Sequence, residues 1–217
     1  GDFTALGTLP ELEAARAAVE PLTRVGQGLV VMPGNHDVYV PDAVRERRFE
    51  RHFGDLVQSD RPALAAASGY PLVRLFGDDV AVVVVQSARP NPEPWRSSGR
   101  VPDDELAALS RVTREPELAG RFVVVATHYG LRRADGSRDT AHHGLDNADE
   151  LVASLEPLRF GAFLHGHLHW RFQVDVPGLA LPVLCAGSTT YRGREGQWVL
   201  DVEAGLAKAR AANGPER

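Results

Sequence analysis

The chain has 217 residues, of which 43% are hydrophobic and 24% are charged, as is ordinary for a globular protein with one core. Its net charge of -5 and pI near 5.9 exclude a global basic field, so we expect no nucleic-acid partner. No apolar run approaches the roughly 20 residues that a membrane span needs. The single cysteine, Cys185, excludes an internal disulfide and favours a reducing, cytoplasmic location.

Helical and strand patterns alternate along the chain, which predicts a layered α/β fold. Residues 10–20 have the spacing of an amphipathic helix, and the short apolar run at 29–32 is typical of a buried strand. Residues 42–57 again indicate a helix, with Asp42 as its N-cap. A turn between two apolar runs predicts a hairpin over residues 72–86.

The second half of the chain continues the alternation. Three prolines predict an irregular loop at 89–99. The other predicted elements are, in chain order, a helix at 103–111, a strand at 122–126, a polar loop at 130–145, a helix at 149–158 and strands at 160–164, 171–176, 180–186 and 197–202. We expect one domain over residues 1–217, with a helical, polar C-terminal tail at 204–217. The sequence does not indicate an oligomeric state.

Four short motifs are rich in metal-binding side chains. They are Gly1-Asp2, Gly34-Asn35-His36-Asp37, His128, and His165-Gly166-His167-Leu168-His169. Three of them come where predicted strands end, and ligands of open α/β sheets gather at the carboxyl ends of strands. Asp, Asn and His together form a mixed oxygen and nitrogen shell that suits Zn, Mn or Fe. Because side chains alternate along a strand, an extended His-x-His points both rings to one face.

Each motif alone also has a simpler explanation. Gly-Asn-His-Asp is good turn chemistry, and a single buried histidine such as His128 is more often a hydrogen-bonded core residue. The pair His167 and His169 is more specific for a metal. The order and placement of all four motifs together favour a site for two ions.

The series of motifs resembles the calcineurin-like metallophosphoesterases, from Gly1 to about Gly187. This resemblance implies a four-layer α/β/β/α sandwich with two divalent ions, Mn, Fe or Zn, at its rim. It also implies a metal-dependent hydrolase of phosphate esters that acts on a small organic phosphate. Hydroxide formed at the ions would attack the phosphorus in line.

The resemblance also assigns roles by position. The implied metal ligands are Asp2, Asn35, His128, His167 and His169. Asp2 would bridge both ions, His169 would bind the first ion, and the other three would complete the shell of the second. His36 would be the catalytic residue, as general acid or hydrogen-bond donor beside the scissile phosphate.

The sequence departs from the family at its start. The Asp-x-His motif that normally precedes Gly-Asp is not found. We therefore predict several dozen residues upstream of Gly1, including a first strand. Without that motif, we expect one ion to bind well and the other poorly.

Two further features concern the substrate. Protein phosphatases of the family have Gly-Asp-x-x-Asp-Arg-Gly, whereas residues 1–7 lack that Asp and Arg. Gly-Asn-His-Asp is more similar to the bacterial phosphodiesterase branch, which includes cyclic-nucleotide phosphodiesterases, so a phosphodiesterase is predicted. The alternatives are a nucleotide-sugar lipid pyrophosphatase, for which no acyl-binding insertion is evident, and a metal-free binding scaffold of the same fold.

The long loop after His128 contains His142 and His143 together with three arginines, Arg132, Arg133 and Arg138. One interpretation is a substrate-facing loop whose cations bind phosphate or the leaving group. The other is a solvated surface loop. The sequence leaves both open.

Overall fold

Apolar runs of four or five residues form the strands of one mixed sheet. The computed structural model describes residues 1–91, 93, 95–203 and, as backbone alone, 206–212. The strands are β1 (Leu72–Phe76), β2 (Val80–Val84), β3 (Phe122–Ala126), β4 (Gly161–His165), β5 (Arg171–Val174), β6 (Val183–Ala186), β7 (Gln197–Glu203) and β8 (Leu206–Ala212). The central sheet has the order β1-β2-β3-β4-β6-β5, and β7 and β8 form a separate ribbon.

Strands β2, β3, β4 and β6 are parallel, and the edge strands β1 and β5 are antiparallel to their neighbours. The α-helices are α1 (Leu9–Val19), α2 (Pro41–Arg45), α3 (Arg48–His52), α4 (Asp103–Val112) and α5 (Ala148–Ser154). Short 3-10 helices cover Glu20–Arg24, His36–Val38, Gly54–Leu56, Pro62–Leu64 and Pro116–Leu118. Among the described residues, no helix is long and apolar enough to cross a membrane.

Helices cover one face of the sheet because their apolar stripes complete its core. Leu109 of α4 and Leu151 of α5 are fully buried in one cluster with Val123 and Phe163 of the sheet. Strand β3 is apolar along its whole length, as expected for a central parallel strand that is buried on both faces.

The opposite face of the sheet is covered by a second β layer. Trp198 and Leu200 of β7 pack on this face beside Leu184. Residues 29–32 lie in the same layer, because alternate side chains of this segment pack toward the sheet and toward α1 and α3. The prediction of a mixed α/β fold is confirmed, with the layers in the order α/β/β/α.

Three predicted elements are wrong in detail. Residues 29–32 form no strand and pair with no described strand, and the N–H of Val31 donates to the carbonyl of Leu56 at 3.4 Å. The predicted helix at 42–57 is broken, because Arg47 has a left-handed φ of 50° between α2 and α3. Its N-cap is Val40 and not Asp42, since Pro41 occupies the first helical position.

The C-terminal tail is the third correction. Residues 206–212 form strand β8 and not the predicted helix. Their sequence alternates small and longer side chains with the period of a strand, and pairing with β7 overrides the helical propensity of alanine. The rest of the predicted tail, 204–205 and 213–217, lies outside the described residues.

Glu105 of α4 is a carboxylate inside the core. It is 1% exposed, its Oε1 atom accepts from the Ser68 hydroxyl at 2.7 Å, and its Oε2 atom has no partner among the described residues. Burial raises the pKa of Glu105 to about 7. The folded protein therefore binds this proton more tightly than the unfolded chain does.

Stability should accordingly fall as the pH rises from about 4.5 through about 7. Glu105→Gln stays neutral, so we expect it to exceed the wild type at pH 8 by an unfolding free energy on the order of 3 kcal/mol. At pH 4.5 the two should be about equal. Urea unfolding at both pH values measures this, with the exposed Asp175→Asn as control. An unchanged pH dependence in Glu105→Gln would refute the assignment.

Candidate metal centre

The loops after parallel strands meet at one edge of the sheet, as the sequence predicts. Ser87 follows β2, and its Oγ atom accepts from the backbone N–H groups of His128 and Tyr129 at 3.2 Å each. His128 follows β3, and its carbonyl oxygen accepts from the N–H of Gly166 after β4 at 3.0 Å. These bonds hold the two histidine-bearing loops side by side.

Asn35 is the centre of a cluster of metal-binding side chains. Its Oδ1 atom lies 2.9 Å from Nε2 of His128 and 3.2 Å from Nδ1 of His167. Oδ2 of Asp2 lies 3.3 Å from the same Nε2 atom of His128. Neighbouring ligands of an ion with bonds of about 2.1 Å are themselves roughly 3.0–3.4 Å apart. These three contacts fall within or near that range.

His167 shows why a cation fits between these atoms. Its Nε2 atom lies 3.0 Å from the carbonyl oxygen of His143, and a carbonyl only accepts, so Nε2 carries the proton. Burial, together with nearby His128 and His143, lowers the pKa of His167 to about 2, so the ring is neutral and has one N–H. Nδ1 then presents a lone pair toward the side-chain amide of Asn35, 3.2 Å away. A divalent ion could be bound by this lone pair together with the amide oxygen of Asn35.

The donor set also fits the metals named above. In the part of the chain that the structure describes, no group of three or more His, Cys, Asp or Glu side chains could hold an ion by itself. Asp2, His128 and His167 therefore do not form such a group by themselves, and it is Asn35, in contact with both imidazoles, that adds the fourth potential donor. Such a mixed set suits Zn, Mn or Fe.

Asp2 is held in place by the second carboxylate of the motif, Asp37. The Asp37 carboxylate accepts backbone N–H groups of Asp2 at 2.8 Å, Phe3 at 3.2 Å, Thr4 at 2.9 Å and Gly34 at 2.8 Å. Gly34 is required there, because an added Cβ would lie 2.1 Å from Oδ1 of Asp2. Asp37 therefore acts through Asp2 as a positioning residue.

The charge of Asp2 is stabilised by its neighbours. Burial opposes ionisation, but hydrogen bonding and charge from His128, with the backbone N–H of His36 at 3.0 Å, hold the pKa of Asp2 well below its ordinary value. Asp2 has a left-handed φ of 61°, which directs the carboxylate into the cluster through a conformation that Asp tolerates better than most residues.

Asp37→Asn should destabilise the protein. The amide replaces one acceptor oxygen with a donor that faces other donors, and an unmet buried group costs about 1–3 kcal/mol, with more for a charged one. We expect the urea midpoint to fall accordingly, whereas the exposed Asp78→Asn should leave it unchanged. A midpoint equal to that of the wild type would contradict the positioning role.

His36 lies on the wall of a cavity of about 550 Å³ that Asp2, Asn35, His167 and His169 also line. Nδ1 of His36 lies 2.8 Å from the carbonyl oxygen of Ala5, and its ring stacks on Tyr39 with centroids 5.7 Å apart. These contacts fix the ring, and its Nε2 atom remains for a ligand in the cavity.

The His-x-His pair reaches the cavity by a route that differs from the prediction. His167 and His169 have φ values of 63° and 59° and are not extended. The N–H of Leu168 donates to the carbonyl of Gly166 at 2.7 Å, so the segment is a turn. His169 is half-buried, and burial is the main reason that its pKa is lowered.

The long loop after β3 is only partly at the site. His143 lines the cavity, with its ring centroid 4.2 Å from that of His167 and its Nδ1 atom 2.6 Å from Asp139. His142 is exposed and does not line this cavity. Among the three arginines, only Arg133 lines it.

The other two arginines of the loop, Arg132 and Arg138, pair with Asp149 of α5. They therefore anchor the loop to a helix, which corrects the interpretation that all three cations face the substrate.

Sequence reasoning missed three contributors to the site. Ser87 could have been found from the sequence, because it follows a buried strand at the edge of the sheet where ligands gather. Asp37 belongs to one of the motifs, but the sequence could not show its role, because its hydrogen bonds join it to the distant loop that carries Asp2. Arg194 lines the cavity and lies in no recognisable motif.

Comparison with solved structures gives a weak similarity. The chain is similar to the crystal structure of a dimetal phosphatase from Danio rerio, with a TM-score of 0.47 and 12% identity over 84% of this chain and 78% of that chain. No family model matches, and no curated protein matches. A likeness of this strength assigns no activity to the chain.

Proposed function

We propose that this chain is a metal-dependent hydrolase of phosphate esters of the calcineurin-like type, acting on a small phosphodiester. The observation that carries the proposal is the convergence of four donor side chains. Asn35 lies 2.9 Å from His128 and 3.2 Å from His167, and Asp2 lies 3.3 Å from His128. Such a mixed set of oxygen and nitrogen donors suits a divalent ion.

Each residue has a distinct task in this proposal. Asp2, Asn35, His128 and His167 would hold one ion, and Asp2 with His169 would contribute to the other. When bound, two such ions neutralise phosphate charge and supply hydroxide near neutral pH. Asp37 fixes the backbone that carries Asp2 before any ligand arrives, so that little reorganisation is needed.

His36 would handle the proton of the leaving group. Because Nδ1 must carry a proton to donate to the Ala5 carbonyl, Nε2 carries one only when the ring is an imidazolium. In that form, Nε2 can donate to the departing alkoxide oxygen. The bond to Ala5 and the stack on Tyr39 keep this nitrogen oriented during the reaction.

The substrate class is tested with a panel on the full chain loaded with Mn²⁺ or Zn²⁺. We expect bis(p-nitrophenyl) phosphate and small diesters, cyclic nucleotides among them, to be hydrolysed with higher kcat/KM than p-nitrophenyl phosphate. Faster hydrolysis of the monoester would overturn the diesterase assignment. Selective hydrolysis of a UDP-sugar lipid would identify a pyrophosphatase, and ligand binding without turnover of any ester would identify a scaffold.

A further inference from the structure

Arg194 is held between two aromatic rings at the mouth of the candidate metal centre. Its guanidinium carbon lies 4.3 Å from the ring centroid of Trp170 and 4.4 Å from that of Tyr191. Cations are attracted to the faces of such rings, and planar guanidinium groups stack on them. The rings therefore reduce the freedom of a side chain that would otherwise be mobile.

The backbone around Arg194 is also ordered by its own bonds. The N–H of Arg194 donates to the carbonyl of Tyr191 at 2.9 Å, and the carbonyl of Arg194 accepts from the N–H of Ser188 at 3.0 Å. Gly187, with φ of 84°, starts this loop directly after β6. The guanidinium thus stands on a loop at the carboxyl edge of the sheet, where the metal-binding motifs also lie.

The charge of Arg194 is not neutralised within the described part of the chain. Arg194 forms no ion pair there, although three carboxylates line the same cavity, namely Asp2 of the candidate metal centre, Asp135 and Asp139. Asp135 accepts from Ser137 and Asp139 contacts His143. The cavity therefore has a preoriented cation that is available to a ligand.

Arg194 lies to one side of the proposed metal ligands. Tyr191 contacts both Arg194 and His169, whose ring centroid is 5.8 Å from that of Tyr191. Arg194 is not one of the proposed metal ligands, so its charge is available for an anionic group other than the one that the ions hold. Arg133, the other arginine that lines this cavity, is exposed and stacks on no aromatic ring of the described residues.

Resting on the proposed function, we propose that Arg194 is a specificity-determining residue that binds a second anionic group of the substrate. The preferred substrates are then phosphate esters with an additional carboxylate or phosphate beyond the scissile one. Charge-assisted hydrogen bonds are about twice as strong as neutral ones, so the second anion should improve binding by about tenfold to a hundredfold.

The test uses probes that differ only in that charge. Calorimetry on the full metal-loaded chain compares 4-carboxybutylphosphonate with 4-carbamoylbutylphosphonate, neither of which can be hydrolysed. We expect the carboxylate to bind at least tenfold more tightly. Arg194→Gln should reduce this ratio to about one, Arg194→Lys should keep part of it, and Arg192→Gln, an exposed arginine of the same loop, should keep all of it.

Turnover separates failure of this inference from failure of the proposed function. The p-nitrophenyl esters of 3-carboxypropyl phosphate and 3-carbamoylpropyl phosphate serve as the matched substrates. Hydrolysis of both with equal affinities would overturn the role of Arg194 and leave the phosphoesterase intact. An Arg194-dependent preference in binding, with no hydrolysis of either ester, would overturn the phosphoesterase and keep the anion site. If Arg194→Gln lowered the affinity for both probes equally, the specificity role of Arg194 would also be overturned.

Discussion

Replacing His36 with alanine is expected to lower the turnover number of the metal-loaded protein by about 10²–10⁴-fold, the usual contribution of a general acid. The ring lines the cavity beside Asp2 and Asn35 and is fixed by Ala5. The side chain of His36 is not among the four proposed metal donors of the cluster. Ion content should therefore stay at the wild-type level while turnover falls.

Steady-state kinetics with bis(p-nitrophenyl) phosphate, beside metal analysis of the same sample, measures this effect. His52→Ala is the matched control, because His52 of α3 bonds the Arg48 carbonyl and does not line the cavity. Full turnover in His36→Ala would remove His36 from the mechanism. Loss of the ions in that variant would make it a structural residue.

Replacing Asn35 with alanine is expected to abolish tight binding of the ion at the cluster. Oδ1 of Asn35 contacts both His128 and His167, so its loss removes a donor and leaves the two imidazoles without a common partner. Removing a residue that only hydrogen-bonds to a metal ligand lowers metal affinity by about 10–100-fold. Because Asn35 is itself a proposed ligand, its loss should lower the affinity for the ion by more than that.

Calorimetric titration of chelator-treated protein with Mn²⁺ or Zn²⁺ measures that affinity. Asn35→Asp retains an oxygen donor of the same reach and should bind the ion, whereas Asn35→Ala should not. Equal affinities of the wild type and Asn35→Ala would show that the cluster is not a metal centre.

Much of the central sheet could be predicted from short apolar runs bounded by turn residues, and β3 is the clearest case. The segment 29–32 has the same apolar character, but a strand also needs a hydrogen-bonding partner, which local sequence does not reveal. The tail at 206–212 shows the converse, since its alanines favour a helix and pairing with β7 decides the outcome.

The membership of the candidate site was more predictable than its geometry. The motifs identify Asn35 and His128 because Asn and His are donor residues placed where strands end. The left-handed backbone of His167 and His169 depends on a turn within the motif, and the extended spacing assumed from the sequence was wrong. No sequence pattern indicated Arg194, because its proposed role depends on the rings of Trp170 and Tyr191, which are brought beside it only by folding.

The metal dependence of turnover tests the central claim most directly. Hydrolysis of bis(p-nitrophenyl) phosphate by the full chain is measured with bound ions, after exhaustive chelation, and after Mn²⁺ or Zn²⁺ is returned. We predict that activity disappears with the ions and returns in proportion to the ion content. An equal rate in metal-free protein, or no hydrolysis by protein that holds its ions, would contradict the proposed function.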